Sequence, residues 1–198
     1  MRPETLLAKF DLKGINYEPH KGGKGLFSLE DQLGMVGITW KESPVGFLVL
    51  FVELLDNAQS RRALEKAVLA ELYTLTDDWR GQKSEAAFAA IVRAAVEEAI
   101  TPQGRICSCC GGSGKYRAPN RHYRKCMHCN DGRVAWDLES RFVAMCSGSF
   151  VCTFSVFKRQ YHPVLDGLAD WLAAKRNAAM LALMQRIEKE RGEHKISN

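Results

Sequence analysis

Five of the chain's seven cysteines fall between Thr101 and Arg133, as Cys107-x-x-Cys110, a 15-residue insertion and Cys126-x-x-Cys129, with Cys109 inside the first turn. Thiols so spaced can hold a metal, exchange electrons as dithiols, or act as nucleophiles. Two Cys-x-x-Cys turns at this separation match a four-thiolate zinc site, since each turn offers two sulfurs to one ion and the insertion returns the second pair to complete a tetrahedron. The expected ligands are Cys107, Cys110, Cys126 and Cys129, and the expected cofactor is one structural Zn2+. Four sulfurs close the shell and leave no position for a reactive water, which argues against zinc hydrolysis. A three-cysteine, one-histidine set drawing on Cys109, His122 or His128 is an alternative. So is a thioredoxin-like dithiol, although the strand-helix setting of such a dithiol is missing. Cys146 and Cys152 have no partner spacing and read as small buried apolar residues.

The same segment concentrates positive charge. The chain's net charge is +5, and residues 105–135 carry seven Lys/Arg against the single acid Asp131. Lys115, Arg117, Arg121, Arg124, Lys125 and Arg133 surround the cysteine turns, with Tyr116 and Tyr123 interleaved. A basic block on an otherwise balanced chain suits phosphate contact, because neutralised phosphates release counterions. A solvated loop is the plainer alternative. A metal can order such a loop where a hydrophobic core would be too small.

The elements that must position this segment read as helices. The 198 residues are 46% hydrophobic, enough for one ordinary domain or two small ones. The longest apolar run, Val45 to Val52, is far short of the ~20 residues of a membrane span, so no membrane partner is expected. The opening residues carry no export signal, and the cytoplasm is the expected compartment. Ser43-Pro44 signals the start of an apolar segment to Leu55, helix or strand. Asp56-Asn57-Ala58-Gln59 offers a capping-box start for a helix with Leu64, Ala67, Val68, Leu72 and Leu75 on one face. A further helix runs from about Ser84, with Phe88, Ile91, Val92, Ala95 and Ala99 on one face, to Thr101-Pro102. Beyond the cysteines, a short helix from Asp137 to about Met145, a turn at Ser147-Gly148-Ser149 and a helix from Thr153 to Trp171, interrupted by Pro163, form a helix-turn-helix. Met180, Leu183, Met184 and Ile187 mark a last helix that frays.

The fold class expected is therefore mainly α: a helical body with a helix-turn-helix and an inserted four-cysteine zinc finger. Residues 1–27 read as a flexible N-terminal arm, 28–104 as the helical body, 105–135 as the zinc finger, 136–172 as the helix-turn-helix, and 173–198 as a C-terminal helix with a frayed tail. An enzyme is not expected: there is no His-Glu-x-x-His, no nucleophile elbow and no phosphate loop.

"TPQGRICSCCGGSGK", the second turn Cys126-Met127-His128-Cys129, and "TFSVFKRQYHPVLDGL" together resemble the lambda-type Q antitermination proteins of lambdoid phages. The family pattern is met by Thr101, Pro102, Arg105, Cys107, Cys110, Gly112, Gly114, Cys126, Cys129, Arg159, Pro163 and Asp166. The chain departs from it in the displaced glycine of the second turn and in Cys109. The resemblance implies a factor that binds double-stranded DNA near a phage late promoter and makes paused host RNA polymerase ignore terminators. It also implies contacts to the polymerase and its sigma factor, help from a host Nus factor, and work in the bacterial cytoplasm. Mapped onto this chain, the second helix of the helix-turn-helix would enter the major groove, with Lys158, Arg159 and Gln160 as DNA-binding candidates. The plainer reading makes these three the polar face of a core helix. Two other functions stand beside this one. Cys-x-x-Cys-x-Gly-x-Gly is also the repeat of the DnaJ chaperone zinc domain, which uses four repeats where this chain has one full and one altered copy. A zinc-dependent DNA-binding regulator without polymerase-modifying activity is the other.

Overall fold

Capping and stop signals set most helix ends in the computed structural model, which describes residues 40–79, 83–118 and 121–196 and the single positions Pro3, Leu7 and Gly37. The arm expected at 1–27 and the start of the helical body expected from residue 28, as far as residue 39, lie outside the described residues, those single positions apart. Two units emerge, one of Met1–Leu64 with Trp171–Asn198 and one of Glu65–Asp170.

In the first unit, Pro44 stands at the start of α1 (Pro44–Leu55), where its missing N–H costs nothing and its fixed φ suits a helix. The segment that could have been strand is helical, and it buries Gly46, Phe47, Val49, Leu50 and Val52. A long C-terminal helix supplies the other half of this core, Ala179, Leu183 and Ile187, which pack with Phe47, Leu50 and Leu7. Gly46 permits the approach: a Cβ there would lie 2.1 Å from the Lys175 carbonyl oxygen and 2.7 Å from the Ala179 Cβ. Arg176 grips Glu53 with two hydrogen bonds of 2.7 and 2.8 Å.

Asp56 ends α1 in the left-handed region (φ 46°), so the next cap falls one residue later than the sequence suggests. The Asn57 side-chain oxygen accepts from the Ser60 N–H at 2.9 Å and starts α2 (Ala58–Leu75). Leu64, Val68 and Leu72 are buried as expected, but Leu75 is exposed. In the second unit, Ser84 caps α3 (Glu85–Ile100). Its buried face is broader than the apolar stripe, taking in Ala87, Ala90, Ala94 and Val96 as well. Phe88 meets Tyr73 and Trp79 at ring distances of 5.3 and 6.3 Å, and Trp79 in turn meets Tyr161 at 5.8 Å.

The cysteine segment forms two small antiparallel pairs, β1 (Arg105–Ile106) with β4 (Arg133–Val134) and β2 (Lys115–Arg117) with β3 (Tyr123–Lys125). After it, α4 (Leu138–Met145) opens on a capping box in which Asp137 accepts from the Ser140 N–H at 2.7 Å and the Asp137 N–H donates to the Ser140 hydroxyl at 2.8 Å. Thr153 caps α5 (Phe154–Val156), and the helix continues through a π-helical turn, Phe157–Tyr161, into α6 (His162–Ile196).

One expectation fails here. Pro163 does not interrupt the helix, which continues to Ile196. A proline inside an α-helix lacks a donor and presses its ring on the carbonyl four residues back. The wider π turn sits just before it, with the His162 N–H bonded five residues back to Phe157, and absorbs the misfit without a break. The chain is thus mainly helical with a small sheet. Among the described residues no helix is long and apolar enough to cross a membrane.

Candidate metal centre

Each cysteine turn leaves a strand and closes on a glycine of the other turn. The Cys107 N–H donates to the Gly132 carbonyl at 2.9 Å, and the Cys126 N–H donates to the Gly114 carbonyl at 2.8 Å. The two turns therefore hold each other reciprocally. Gly132 has φ +90°, and a Cβ on it would lie 2.0 Å from the Gly112 carbonyl oxygen, so no other residue fits. The displaced glycine of the second turn is the residue that lets the two turns touch.

This clasp brings four sulfurs together. Cys107 and Cys126 Sγ are 4.0 Å apart, Cys110 and Cys129 Sγ are 3.6 Å apart, and all four lie within 4.8 Å of one another. A tetrahedral ion with metal-sulfur bonds of about 2.3 Å sets its sulfurs about 3.8 Å apart, so the donor set and its spacing fit such an ion. Cys109, His122 and His128 are exposed and lie outside the cluster. The three-cysteine, one-histidine alternative therefore has no support in the geometry.

Electrostatics point the same way. Burial works to raise the Cys110 thiol, but hydrogen bonds from Cys129 and from the backbone of Gly114 and Gly112 outweigh it and bring it down to about 7. Burial pushes Cys129 up to about 12, with Cys110, Cys126 and Cys107 adding to the rise. The His128 backbone favours the Cys126 thiolate, yet burial and the neighbouring Cys107 and Cys110 thiols leave Cys126 raised. One sulfur ionises readily and others resist, as expected of thiolates crowded together; a bound cation removes that repulsion.

The basic residues follow the hairpin. Lys115, Arg117, Arg124 and Lys125 are exposed on β2 and β3, and Arg121 is exposed in the connecting turn with φ 64°. Register pairs Lys115 with Lys125, Tyr116 with Arg124, and Arg117 with Tyr123. Directly paired residues share a face and neighbours along a strand alternate. Lys115, Arg117, Tyr123 and Lys125 thus line one face, and Tyr116 and Arg124 the other. Arg133 differs: it is half-buried, and one guanidinium nitrogen donates to the Gly104 carbonyl at 3.1 Å. Within the second unit, Arg105 ties the base of the segment to Glu97 at 3.3 Å and to the Ser140 carbonyl at 3.4 Å, and the Trp136 indole donates to the Thr101 carbonyl at 2.8 Å.

Lys158, Arg159 and Gln160 occupy the π turn. Phe157 and Tyr161 on either side are buried, which turns the three polar residues outward; Lys158 and Arg159 are exposed and Gln160 is half-buried. Sequence reasoning missed Arg141. It holds Glu98 through two bonds of 2.8 and 2.7 Å and Asp166 through a third of 2.6 Å, joining α3, α4 and α6. An arginine in a short amphipathic helix gives no sign of its partners, which come from residues 43 positions before it and 25 after it. Compared with known protein families and with curated proteins, the chain matches none.

Proposed function

We propose that this protein is a transcription antitermination factor in which one structural zinc, held by Cys107, Cys110, Cys126 and Cys129, orders a basic hairpin for contact with DNA. The observation that carries the reading is the closed four-sulfur cluster at the root of a hairpin whose outward charges are all positive. Lys115 stands directly opposite Lys125, a like-charge pairing that disfavours the hairpin itself and is relieved by a polyanion. Lys115, Arg117, Arg121, Arg124 and Lys125 are the phosphate contacts in this reading, and Arg133 adds only the donors that Gly104 leaves free.

The segment from α4 through the π turn serves as the helix-turn-helix. Arg159 and Gln160 address base edges there and Lys158 a phosphate. Support for that role comes from their outward position on a π turn, a feature often found at functional sites. The resemblance to the lambda-type Q proteins carries the remainder: double-stranded DNA near a phage late promoter as the site, paused host RNA polymerase with its sigma factor and a Nus factor as partners, and the bacterial cytoplasm as the location. Binding to a DNA site raises the factor's concentration beside the paused enzyme, and no covalent chemistry is involved.

The test is terminator read-through by purified bacterial RNA polymerase on a template with a phage late promoter and a downstream intrinsic terminator, comparing this protein with its Cys126→Ser variant. Read-through that needs both the promoter region and Cys126 supports the proposal. Zinc and DNA binding without read-through reduces it to a DNA-binding regulator that leaves polymerase unchanged.

A further inference from the structure

The turn between α4 and α5 holds two of the three cysteines outside the four-sulfur cluster, Cys146 and Cys152; the third is the exposed Cys109. Cys146 ends α4, its N–H donating to the Phe142 carbonyl at 3.0 Å, and Cys152 directly precedes Thr153, the cap of α5. They stand six positions apart in sequence, half-buried, with sulfurs 3.9 Å from each other. The flanking helices are held without help from these sulfurs. Phe142 packs on Phe154 and Phe157 at ring distances of 5.3 and 5.4 Å, and Arg141 bonds Asp166. Packing therefore imposes the proximity of the thiols. A disulfide needs sulfurs about 2.05 Å apart, so each must move about 1 Å. Residues 147–151 between them are in neither helix nor strand and can accommodate that movement.

We propose that Cys146 and Cys152 are an oxidation site, a thiol pair that a peroxide converts to a disulfide stapling the turn between α4 and α5. One thiolate attacks the peroxide oxygen, the O–O bond breaks, and a sulfenic acid and one water result. The second sulfur then displaces hydroxide from the sulfenic acid, which leaves as a second water once protonated. Two thiols lose two electrons, and hydrogen peroxide gains them as two waters. Burial, reinforced by Cys146, pushes the Cys152 thiol up to about 11, so at neutral pH this sulfur rests protonated. Attack on the peroxide through Cys152 is accordingly slow. The staple would fix the C-terminal end of α4 to the start of the segment bearing Lys158, Arg159 and Gln160.

Trypsin should release Phe142–Lys158, which contains these two cysteines and no others. The full zinc-loaded chain is treated with limiting hydrogen peroxide, its remaining thiols are alkylated, and this peptide is weighed. The expected product is two hydrogens lighter than the reduced peptide and carries no alkyl group. In Cys146→Ser and Cys152→Ser, checked for native helix content by circular dichroism, the remaining thiol is alkylated instead. A wild-type peptide still doubly alkylated after the exposed Cys109 has been oxidised would overturn the proposal, as would a sulfonate or a link to a second chain. In glutathione buffers, the folded chain should oxidise this pair at a several-fold lower glutathione-disulfide level than the urea-unfolded chain. Equal midpoints would attribute the pairing to short spacing alone and likewise sink it.

Discussion

Cys126 and Cys109 differ in one respect that decides their fate on mutation: the first is buried in the four-sulfur cluster and the second is exposed outside it. Cys126→Ser should release zinc to a chromophoric chelator that the wild-type chain resists, whereas Cys109→Ser should keep one zinc per chain. Acid should do what the first substitution does. Binding requires thiolates, and with Cys129 pushed up to about 12 and Cys126 raised, metal entry displaces protons; affinity therefore falls as pH falls. Zinc release followed from pH 8 downward checks the sign. Arg141 makes a different kind of prediction. Its side chain and that of Glu98 are each 15% exposed, whereas Asp166 is 49% exposed. Arg141→Met strands a mostly buried carboxylate and should cost about 3 kcal/mol in urea denaturation. Asp166→Asn should cost about 1 kcal/mol or less, since water covers the loss. The four-cysteine cluster was legible in the sequence because Cys-x-x-Cys spacing is local, while Arg141 and the Cys146–Cys152 contact were not, because tertiary packing alone creates them.

The short helix α4 depends on its cap more than the long helices do, having only eight residues over which to spread the cost of nucleation. Asp137→Ala should therefore lower stability by about 1 kcal/mol. The Ser140 backbone and hydroxyl hold the Asp137 carboxyl below the usual carboxylate range. Its contribution is present above the ordinary value of about 3.9 and is lost as pH falls through the lower native value. Denaturation curves of wild type and Asp137→Ala should converge on acidification below pH 4. Sequence reading succeeded where such local chemistry governs, at Ser84, at Asp137 and at Pro44. It failed at Pro163, since a proline predicts a break unless the turn before it is known to widen. It left Val45 to Leu55 open between helix and strand, because a continuous apolar run has no period; the close fit of Gly46 against Lys175 and Ala179 is a tertiary fact. For the hairpin, Arg121→Ala and Arg124→Ala should each reduce the slope of log affinity against log salt by about one unit. Arg133→Ala should change the slope less, since its guanidinium also serves Gly104. Filter binding to a duplex across a salt series separates these outcomes.

A metal held by the four sulfurs would order a different part of the molecule from the helix cores, and that division makes metal removal informative. The strands that carry the basic residues are two or three residues long, too short to stand without the cluster that joins their turns. The helices have cores of their own: Leu7, Phe47, Leu50, Ala179, Leu183 and Ile187 in one unit, and the aromatic contacts of Phe88, Trp79 and Tyr161 in the other. Chelation of the zinc-loaded chain should therefore leave the far-ultraviolet helical signal nearly intact while DNA affinity drops toward that of a variant lacking the hairpin arginines. Restoring zinc should restore binding. If the helical signal collapsed with the metal, the cluster would be part of the global folding unit, and loss of DNA binding on chelation would say nothing about the hairpin. If affinity survived chelation with the helices intact, the contact surface would lie on the segment bearing Lys158, Arg159 and Gln160 alone. Arg159→Ala would then abolish site preference, while Arg121→Ala and Arg124→Ala would leave the salt slope unchanged.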